Sequence, residues 1–322
     1  MKESTAIFLR GVYKKLVHPP QEPAYDLPCL KEKDAIQELI KQCVLSDEPK
    51  MVSRFGSIEL TSLENAKNIR EGKSIWRYIT WQGEPNYLKR NQAEALCNNA
   101  GFFPLPDEKM MIQFLSEYES AMKEIDILGS WRYNEAIFKK ELSKSIKVDR
   151  ELMTPLLCDH PWTEALADKR VLVVHPFAST IEKQYERREL LFPGTNILPD
   201  FHLITFKSVQ SQALSPTKFE NWFEALDWQK EQIEMIDYDI CLLACGAYGM
   251  PLAAHCKRNG KKAIHLGGIL QLLFGIKGKR WETEKQYIED FPYTNYYNDA
   301  WVRPSFEETP MGAERVEGGC YW

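Results

Sequence analysis

The segment MVSRFGSIEL combines a cation, a turn residue and a carboxylate within a few positions. Arg54 follows a short apolar run, Gly56 permits a turn, Ser57 comes next, and Glu59 falls in the first turn of a helix predicted over 58–70. An arginine at this point can bind an anion or pair with Glu59. The glutamate can act as a general base, contribute an oxygen to a metal site, or simply complement the helix dipole.

A second candidate is the glycine-rich turn in CGAYGMPLAAH, which joins an apolar run to a predicted helix. Gly246 and Gly249 permit close backbone approach, and the N–H groups of a helix N-terminus favour an anion such as phosphate. The GxxG spacing is not the full dinucleotide fingerprint. A tight turn without a ligand remains the alternative. Tyr248, inside this turn, is available to stack on a base or a sugar ring.

The segment HPFAST follows another apolar run and offers His175, Ser179 and Thr180. The histidine is a candidate general base or a donor to a phosphate, and packing alone is the alternative. Ser179 and Thr180 can contact a phosphate or merely cap the following helix. No nucleophile elbow is present, so covalent catalysis has no support.

Two further loops complete the set of candidates. HLGG supplies His265, Gly267 and Gly268 after an apolar run, and GIKGKRW follows shortly afterwards. Three cations in the second loop suit a diphosphate, because they neutralise charge on a leaving group. A solvated surface turn is the alternative. These three cations are Lys277, Lys279 and Arg280.

The elements that must position these loops alternate between strands and helices. Six segments are predicted as strands: 51–55, 124–131, 169–177, 202–206, 238–245 and 261–268. Alternation of this kind predicts an α/β, Rossmann-like, doubly wound and mostly parallel sheet, with extra helices in the N-terminal half. Ligands bind beyond the carboxyl ends of such strands, so the loops are expected to meet at one edge.

The predicted domain organisation is one large unit with an appended N-terminus. Residues 1–30 are expected to form a helix and a Pro-rich connector, and residues 31–322 a single α/β domain with a C-terminal tail from about 282. Residues 133–168 are predicted as mainly helix and loop. The tail is expected either to close over the site or to pack on the sheet.

Composition restricts the classes of function. The chain has 322 residues, a net charge of −5 and a pI near 5.8, which argues against nucleic acid as a partner. Its eight cysteines form no CxxC pair, so we expect a reducing compartment, the cytoplasm. No apolar run is long enough to span a membrane. The basic N-terminal helix leaves two alternatives open, contact with a membrane surface and packing on a neighbouring element.

Taken together, these segments resemble the glycosyltransferases of the GT-D fold, a family once known only as a domain of unknown function. Its members carry an Arg-aromatic-Gly-Asp-Gly-Glu motif after the first strand, and Arg54, Phe55, Gly56 and Glu59 match it. The unit LLACGAYGMPLAAHCKRNGKKAIHLGG is similar to their late strand–turn–helix–strand unit. The resemblance covers roughly residues 50–275.

Two positions depart from the early motif. Ser57 stands where the family has Asp, and Ile58 where it has the second Gly. A Mn²⁺ or Mg²⁺ ion at Glu59 would then meet one carboxylate and one hydroxyl, whereas hard cations favour several oxygen ligands. Either another acid completes a metal site, or the cationic loop at 277–280 takes the role of the ion.

The resemblance implies transfer of a sugar from a nucleotide-diphosphate sugar to a saccharide or lipid-linked acceptor in surface polysaccharide synthesis. Glu59 would orient a metal or accept the proton of the acceptor hydroxyl, and Trp131 or Tyr248 would stack on the base or the acceptor. Arginines and lysines would neutralise the leaving diphosphate, and glycine amides would hold it. The cations in question are Arg54, Lys277, Lys279 and Arg280. The glycines are Gly246 and Gly268.

Two other functions fit the same residues. One is a different transferase acting on activated phosphate compounds, such as a pyruvyl or phosphosugar transferase. The other is a non-catalytic nucleotide-sugar-binding protein, which the absence of the family Asp at Ser57 favours.

Overall fold

A seven-stranded parallel sheet forms the centre of the computed structural model, which describes residues 3–19, 27–283 and 292–322. The strand order is β3-β2-β1-β7-β6-β4-β5, and every pairing among these strands is parallel. The prediction of a Rossmann-like α/β fold is therefore confirmed. The strands are β1 Met51–Arg54, β2 Ile127–Ser130, β3 Ile146–Asp149, β4 Arg170–His175, β5 His202–Lys207, β6 Ile240–Leu243 and β7 Lys262–His265.

Helices cover both faces of the sheet. One face packs against α3, α5, α6, α8 and α9, and the other against α2, α7, α10 and parts of the C-terminal segment. The helices are α1 Glu3–Val17, α2 Lys33–Leu45, α3 Ser57–Arg70, α4 Ile75–Ile79, α5 Arg90–Ala100, α6 Glu108–Met122, α7 Ala178–Tyr185, α8 Trp222–Glu234, α9 Gly249–Arg258, α10 Leu270–Leu273 and α11 Arg280–Thr283.

The central strands are apolar throughout because both of their faces are buried. In β4, Leu172 and Val174 enter the core on one face, while Val171 and Val173 enter the core on the other. Side chains alternate between the faces of a strand, so a strand with two buried faces reads as a continuous apolar run. That pattern explains why 169–177 and 238–245 were predicted correctly as strands.

One strand was missed. β3, Ile146–Asp149, lies within residues predicted as mainly helix and loop. It lies at one edge of the sheet, paired with β2 on one side and touched by a single bridge from Leu30 on the other. Its sequence, IKVD, has half-exposed and charged positions, because only Val148 is fully buried. Short edge strands of this kind lack the apolar run that marks a central strand.

The N-terminal helix α1 packs on α4 through a cation and two aromatic rings. The Arg10 guanidinium carbon lies 4.2 Å from the ring centroid of Tyr78 and 4.0 Å from that of Trp81. This contact agrees with the packing alternative, and contact with a membrane surface stays a prediction. None of the helices in the described residues combines the length and the apolarity that crossing a bilayer requires.

The order of the strands brings distant loops to the centre of one sheet edge. After β1, the strands β2 and β3 are added in turn toward one edge of the sheet. After β4, β5 forms the other edge, and β6 and β7 then fill the positions between β4 and β1. The carboxyl ends of β1, β7, β6 and β4 are consequently neighbours. In parallel sheets, a crevice for ligands forms where connections diverge in this way.

We expect Trp222→Ala to lower the free energy of unfolding by about 3–5 kcal/mol, because it empties a large volume within a packed aromatic cluster. Trp222 is fully buried, and its ring lies 5.2 Å from Tyr248 and 5.5 Å from Phe102, centroid to centroid. Chemical denaturation measures the change. Trp76→Ala is the control, since Trp76 is 60% exposed; equal losses for the two variants would contradict the packing described here.

Candidate functional site

A cavity of about 400 Å³ opens at the carboxyl ends of the central strands. Each neighbouring strand contributes a residue at or just beyond its end: Arg54 from β1, Trp131 from β2, His175 from β4, Gly246 from β6 and His265 from β7. These residues are far apart in the chain. The sheet therefore assembles the wall of the cavity from several of the predicted loops.

Arg54 is held in the cavity by backbone carbonyls and by a space that a glycine leaves open. Its Nε donates to the Leu266 carbonyl over 3.3 Å and its Nη1 to that of Phe55 over 2.8 Å. Gly267 has φ +67°, and a Cβ there would lie 2.4 Å from Nη2 of Arg54. Gly267 is thus required both by its own backbone conformation and by the guanidinium packed against it.

Glu59 occupies a comparable space beside Gly56. A Cβ on Gly56 would lie 1.9 Å from a carboxylate oxygen of Glu59, so only glycine leaves room for this rotamer. Glu59 lines the cavity and is partly buried, with protein atoms on most sides of its carboxyl group. Burial raises the pKa of Glu59, while its own backbone N–H and the nearby Arg54 partly oppose that change. A carboxyl of raised pKa is a stronger base once ionised.

His175 faces the cavity with a fixed tautomer. Its Nδ1 accepts the backbone N–H of Phe177 over 2.9 Å, so the proton of the neutral ring sits on Nε2. Burial lowers the pKa of His175 to about 3, which keeps the ring neutral. The arrangement suits donation of a hydrogen bond to a ligand oxygen. It does not suit the predicted role of general base, because Nδ1 already has a donor.

His265 is packed between Ser53 and Gly249. Its Nδ1 lies 3.1 Å from Ser53 Oγ, and a Cβ on Gly249 would lie 2.3 Å from its Nε2. Burial and the adjacent Arg54 lower the pKa of His265 to about 3. Gly249 was predicted to bind the nucleotide-sugar donor. Instead it leaves space for the His265 imidazole, and it is not among the residues that line the cavity.

Trp131 lies between two arginines. The guanidinium carbons of Arg150 and Arg132 are 3.9 Å and 5.3 Å from its ring centroid. Glu135, which is fully buried, orients this loop by accepting the backbone N–H groups of Trp131 and Arg132 over 3.0 and 3.1 Å. The result is a cationic and aromatic wall beside the end of β1, where Trp131 Nε1 donates to the Phe55 carbonyl over 3.0 Å.

The C-terminal tail closes another side of the cavity. Arg280 donates to the Tyr321 hydroxyl over 2.9 Å and forms an ion pair with Glu317. A Cβ on Gly268 would lie 2.5 Å from the Tyr321 ring. Tyr321, Glu317 and Trp322 all line the cavity. Both expectations for the tail describe parts of this segment: Tyr293 and Trp301 pack in the core on one face of the sheet, and the last residues line the cavity.

Ser179 and Thr180 do not face the cavity, because the tail occupies their N–H groups. The buried carboxylate of Glu308 accepts from the backbone N–H of Ser179 over 2.9 Å and of Thr180 over 3.2 Å, and from the Thr180 hydroxyl. An anion does bind the N-terminus of α7, as helix electrostatics favours, but it is a side chain of the same protein.

Three other predicted residues also lie outside the cavity wall. Tyr248 is buried and stacks on Trp222, so its ring is not available to a base or a sugar. Lys277 points over the Tyr297 ring, 5.3 Å from its centroid, and Lys279 donates to the Gly318 carbonyl over 3.3 Å. Of the cationic loop, only Arg280 lines the cavity.

Several cavity residues were not predicted. Arg150 and Glu151 follow β3, so missing that strand also removed its loop from the candidates. Arg132 is adjacent to Trp131, and its charge beside a strand end was the available signal. The tail residues had no strand before them and therefore no positional argument. The predicted residues that do line the cavity are Arg54, Gly56, Ser57, Glu59, Trp131, His175, Gly246, His265, Gly267, Gly268 and Arg280.

The donor atoms near Glu59 do not fit a divalent metal ion. Ser57 and Glu59 supply a hydroxyl and a carboxylate, whereas Mg²⁺ requires octahedral oxygen ligation. Within the part of the chain that the structure describes, no group of three or more His, Cys, Asp or Glu side chains is arranged to hold a metal. The Mn²⁺ or Mg²⁺ ion predicted at Glu59 stays a prediction.

Comparison with models of protein families, with curated proteins and with solved structures finds no match to this chain. The resemblance to GT-D glycosyltransferases thus stays a prediction based on the motifs.

We expect Glu59→Gln to raise the melting temperature by a few degrees at pH 7. Because burial raises the pKa of Glu59, the folded protein holds this proton more tightly than the unfolded chain does. Stability conferred by the carboxyl group then falls as the pH rises through the unfolded and folded pKa values. The neutral amide avoids that loss, so the gain should disappear below the unfolded pKa of about 4.3.

Thermal melts of both proteins between pH 4 and pH 8 measure this difference. Glu314→Gln is the matched control, since Glu314 is exposed in the same chain. A gain that does not vary with pH, or a loss at pH 7, would contradict the described environment of Glu59.

Proposed function

We propose that this protein is a glycosyltransferase that uses a nucleotide-diphosphate sugar, and that its cavity binds the diphosphate through arginines. The observation that carries the proposal is the convergence of four arginines, an aromatic ring and the partly buried carboxylate of Glu59 at the carboxyl edge of a parallel sheet. The four arginines are Arg54, Arg132, Arg150 and Arg280. Guanidinium groups bind phosphate oxygens in pairs of parallel hydrogen bonds, which gives both affinity and orientation.

Charge on the leaving group is the main electrostatic demand of this reaction. The acceptor oxygen forms a bond to the anomeric carbon, the bond from that carbon to the diphosphate oxygen breaks, and the nucleotide diphosphate leaves with the electron pair. Fixed cations stabilise the charge that develops there. Arg54 suits this role because carbonyls of Phe55 and Leu266 hold its guanidinium in place before a ligand binds.

Glu59 would accept the proton that the acceptor hydroxyl loses. Its carboxyl group faces the same cavity as Arg54, and its raised pKa strengthens it as a base. His175 would donate from Nε2 to a sugar or phosphate oxygen, since its Nδ1 is bonded to the Phe177 N–H. The acceptor, a saccharide or lipid-linked saccharide, would enter along the side that the tail leaves open.

A transferase acting on phosphoenolpyruvate is the second candidate, because guanidinium groups match the geometry of both a phosphate and a carboxylate. A protein that binds a nucleotide sugar without turnover is the third, and Ser57 in place of the family Asp favours it. Thermal stabilisation by UDP, by GDP or by phosphoenolpyruvate discriminates the ligands. Turnover with the preferred sugar donor separates the enzyme from the binding protein.

We expect Gly267→Ala to weaken binding of the preferred nucleotide diphosphate at least tenfold, because the new methyl group displaces the Arg54 guanidinium. Gly260→Ala is the matched control. Gly260 has φ +75°, close to the +67° of Gly267, but nothing lies within 4 Å of an added Cβ there. Both variants bear a left-handed strain of about 1–2 kcal/mol, and only one moves Arg54. Calorimetry that finds equal affinities for both would sink the assignment of Arg54.

We expect Glu59→Gln to reduce the rate of sugar transfer by about a hundredfold or more while leaving donor affinity within twofold. General base catalysis contributes roughly 10²–10⁴ to a rate, and the amide preserves shape but accepts no proton. Donor binding and single-turnover transfer are measured on the same preparation. Transfer at the wild-type rate would exclude Glu59 as the base without affecting the role of the arginines.

A further inference from the structure

The wall of the cavity changes in chemical character from one edge of the sheet to the other. Its arginines follow β1, β2, β3 and β7, which form the half of the sheet that begins at the β3 edge. Toward the β5 edge, neutral amides line the cavity instead: Gln210 and Gln212 follow β5, and Asn99 lies in the last turn of α5. We call Asn99, Gln210 and Gln212 the amide side. The strand order thus separates the cations from a group of uncharged polar side chains.

Gln212 lies in space that two glycines leave open. A Cβ on Gly246 would lie 3.2 Å from its Nε2, and a Cβ on Gly101 would lie 3.5 Å from its Cδ. Ser211 Oγ donates to the Gly101 carbonyl over 2.5 Å, which ties this segment to the end of α5. Since Asn99 lies in the last turn of that helix, amides from two distant segments are placed beside the end of β6.

Two of these amides are left unsatisfied by the protein. Asn99 Oδ1 and Gln212 Oε1 are buried, and neither has a hydrogen-bond partner in the part of the chain that the structure describes. Gln210 differs, because its Nε2 donates to the Glu308 carbonyl over 3.0 Å. Most buried polar atoms in proteins are paired, so these two oxygens mark a place where a partner binds. The terminal torsion of an amide side chain is soft, and a rotation about it turns the oxygen toward a ligand.

Backbone strain marks the same segment. Ala213 and Leu214, directly after Gln212, have φ values of +57° and +56°. This left-handed conformation is unfavourable in residues other than glycine, and it persists where the surrounding structure enforces it, which is often at binding sites. The segment is therefore held in one conformation that keeps Gln212 at the cavity.

Neutral donors and acceptors on the amide side match the chemistry of sugar hydroxyls. A hydroxyl both donates and accepts, whereas a phosphate oxygen only accepts and would leave the amide oxygens unpaired. His175, at the end of β4 between β6 and β5, adds the Nε2 donor of a neutral ring. A nucleobase favours an aromatic surface, and the Trp131 ring lies among the arginines instead.

We propose that the amide side binds the hydroxyl groups of a sugar ring, and that Asn99 and Gln212 determine which sugar fits. This inference rests on the proposed function, in which the arginines bind the diphosphate and leave the amide side to the sugar. A site built to pair with a hydroxyl discriminates against a sugar that lacks it, because the amide then has no partner. The rings of the donor and of the acceptor share this chemistry.

Calorimetry with the double variant Asn99→Ala/Gln212→Ala tests the proposal in two arms. The donor arm compares UDP-glucose, UDP-N-acetylglucosamine and GDP-mannose with UDP and GDP alone. The acceptor arm titrates methyl glucoside, methyl galactoside and methyl mannoside into protein saturated with the nucleotide that binds more tightly. In one arm, we expect the double variant to bind the preferred sugar ligand at least about tenfold more weakly, because two hydrogen bonds are lost. The nucleotide alone should bind within about twofold of the wild type, and the arm that shows the loss assigns the ring to donor or acceptor.

Asn91→Ala is the matched control, because Asn91 is exposed on the same helix and should be replaceable without effect on any ligand. The proposal is overturned if no sugar ligand binds in either arm, if the double variant binds all of them as the wild type does, or if it loses the nucleotide to the same extent. Where circular dichroism shows that the double variant does not fold, the two single variants replace it under the same criterion.

Titration of the methyl glycosides without nucleotide separates this inference from the proposed function. If neither UDP nor GDP binds but a glycoside does, and the double variant weakens that binding, the sugar site stands while the nucleotide donor is excluded. If a nucleotide binds and the double variant leaves every sugar ligand unaffected, the sugar site is excluded while the diphosphate site stands.

Discussion

The cavity depends on volume that glycines leave empty. An added Cβ on Gly56, Gly249, Gly267 or Gly268 would come within 2.5 Å of a side chain at the site. Those side chains are, in the same order, Glu59, His265, Arg54 and Tyr321. The glycines after the strands therefore leave space that the side chains of the site occupy. In the sequence analysis, Gly249 and Gly268 were instead expected to contact a phosphate through their backbone. A methyl group in any of these spaces must displace the side chain that occupies it.

Fixed geometry matters here because arginine is otherwise a long and flexible side chain. Backbone carbonyls hold Arg54, the Trp131 ring packs against Arg150, and the Tyr321 hydroxyl accepts from Arg280. A cation that is already oriented does not lose further conformational freedom when a ligand binds. The same contacts keep the charges close together although they repel one another. Glu151 and Glu317 reduce that repulsion in the absence of a ligand.

The tail serves two structural purposes that follow from the chemistry of helix ends and strand ends. Glu308 satisfies N–H groups at the N-terminus of α7, which anchors the tail to the body of the protein. Beyond that anchor, Glu317 and Tyr321 reach Arg280 at the cavity. A segment whose regular structure is limited to short 3-10 helices is thus positioned by charge and by hydrogen bonds at two separate points.

Local sequence patterns determined the elements of this protein and the chemistry of the loops. Continuous apolar runs identified the central strands, because both faces of those strands are buried. Alternation with helices indicated that the strands are parallel and that their carboxyl ends meet. It therefore predicted that Arg54, His175 and His265 lie at one edge of the sheet, and all three line the cavity. Periodicity was uninformative for β3, whose exposed edge position tolerates charged residues.

Only the tertiary structure decided which partner each polar group meets. Ser179 and Thr180 offered donors suited to a phosphate, and the fold supplied Glu308, 128 residues away from Thr180. His175 was a possible base by type, and a neighbouring N–H fixed its tautomer against that role. Lys279 and Arg280 are adjacent in sequence, yet only the arginine faces the cavity. Local sequence determines which groups are available, whereas partner and direction depend on residues that are brought close only by folding.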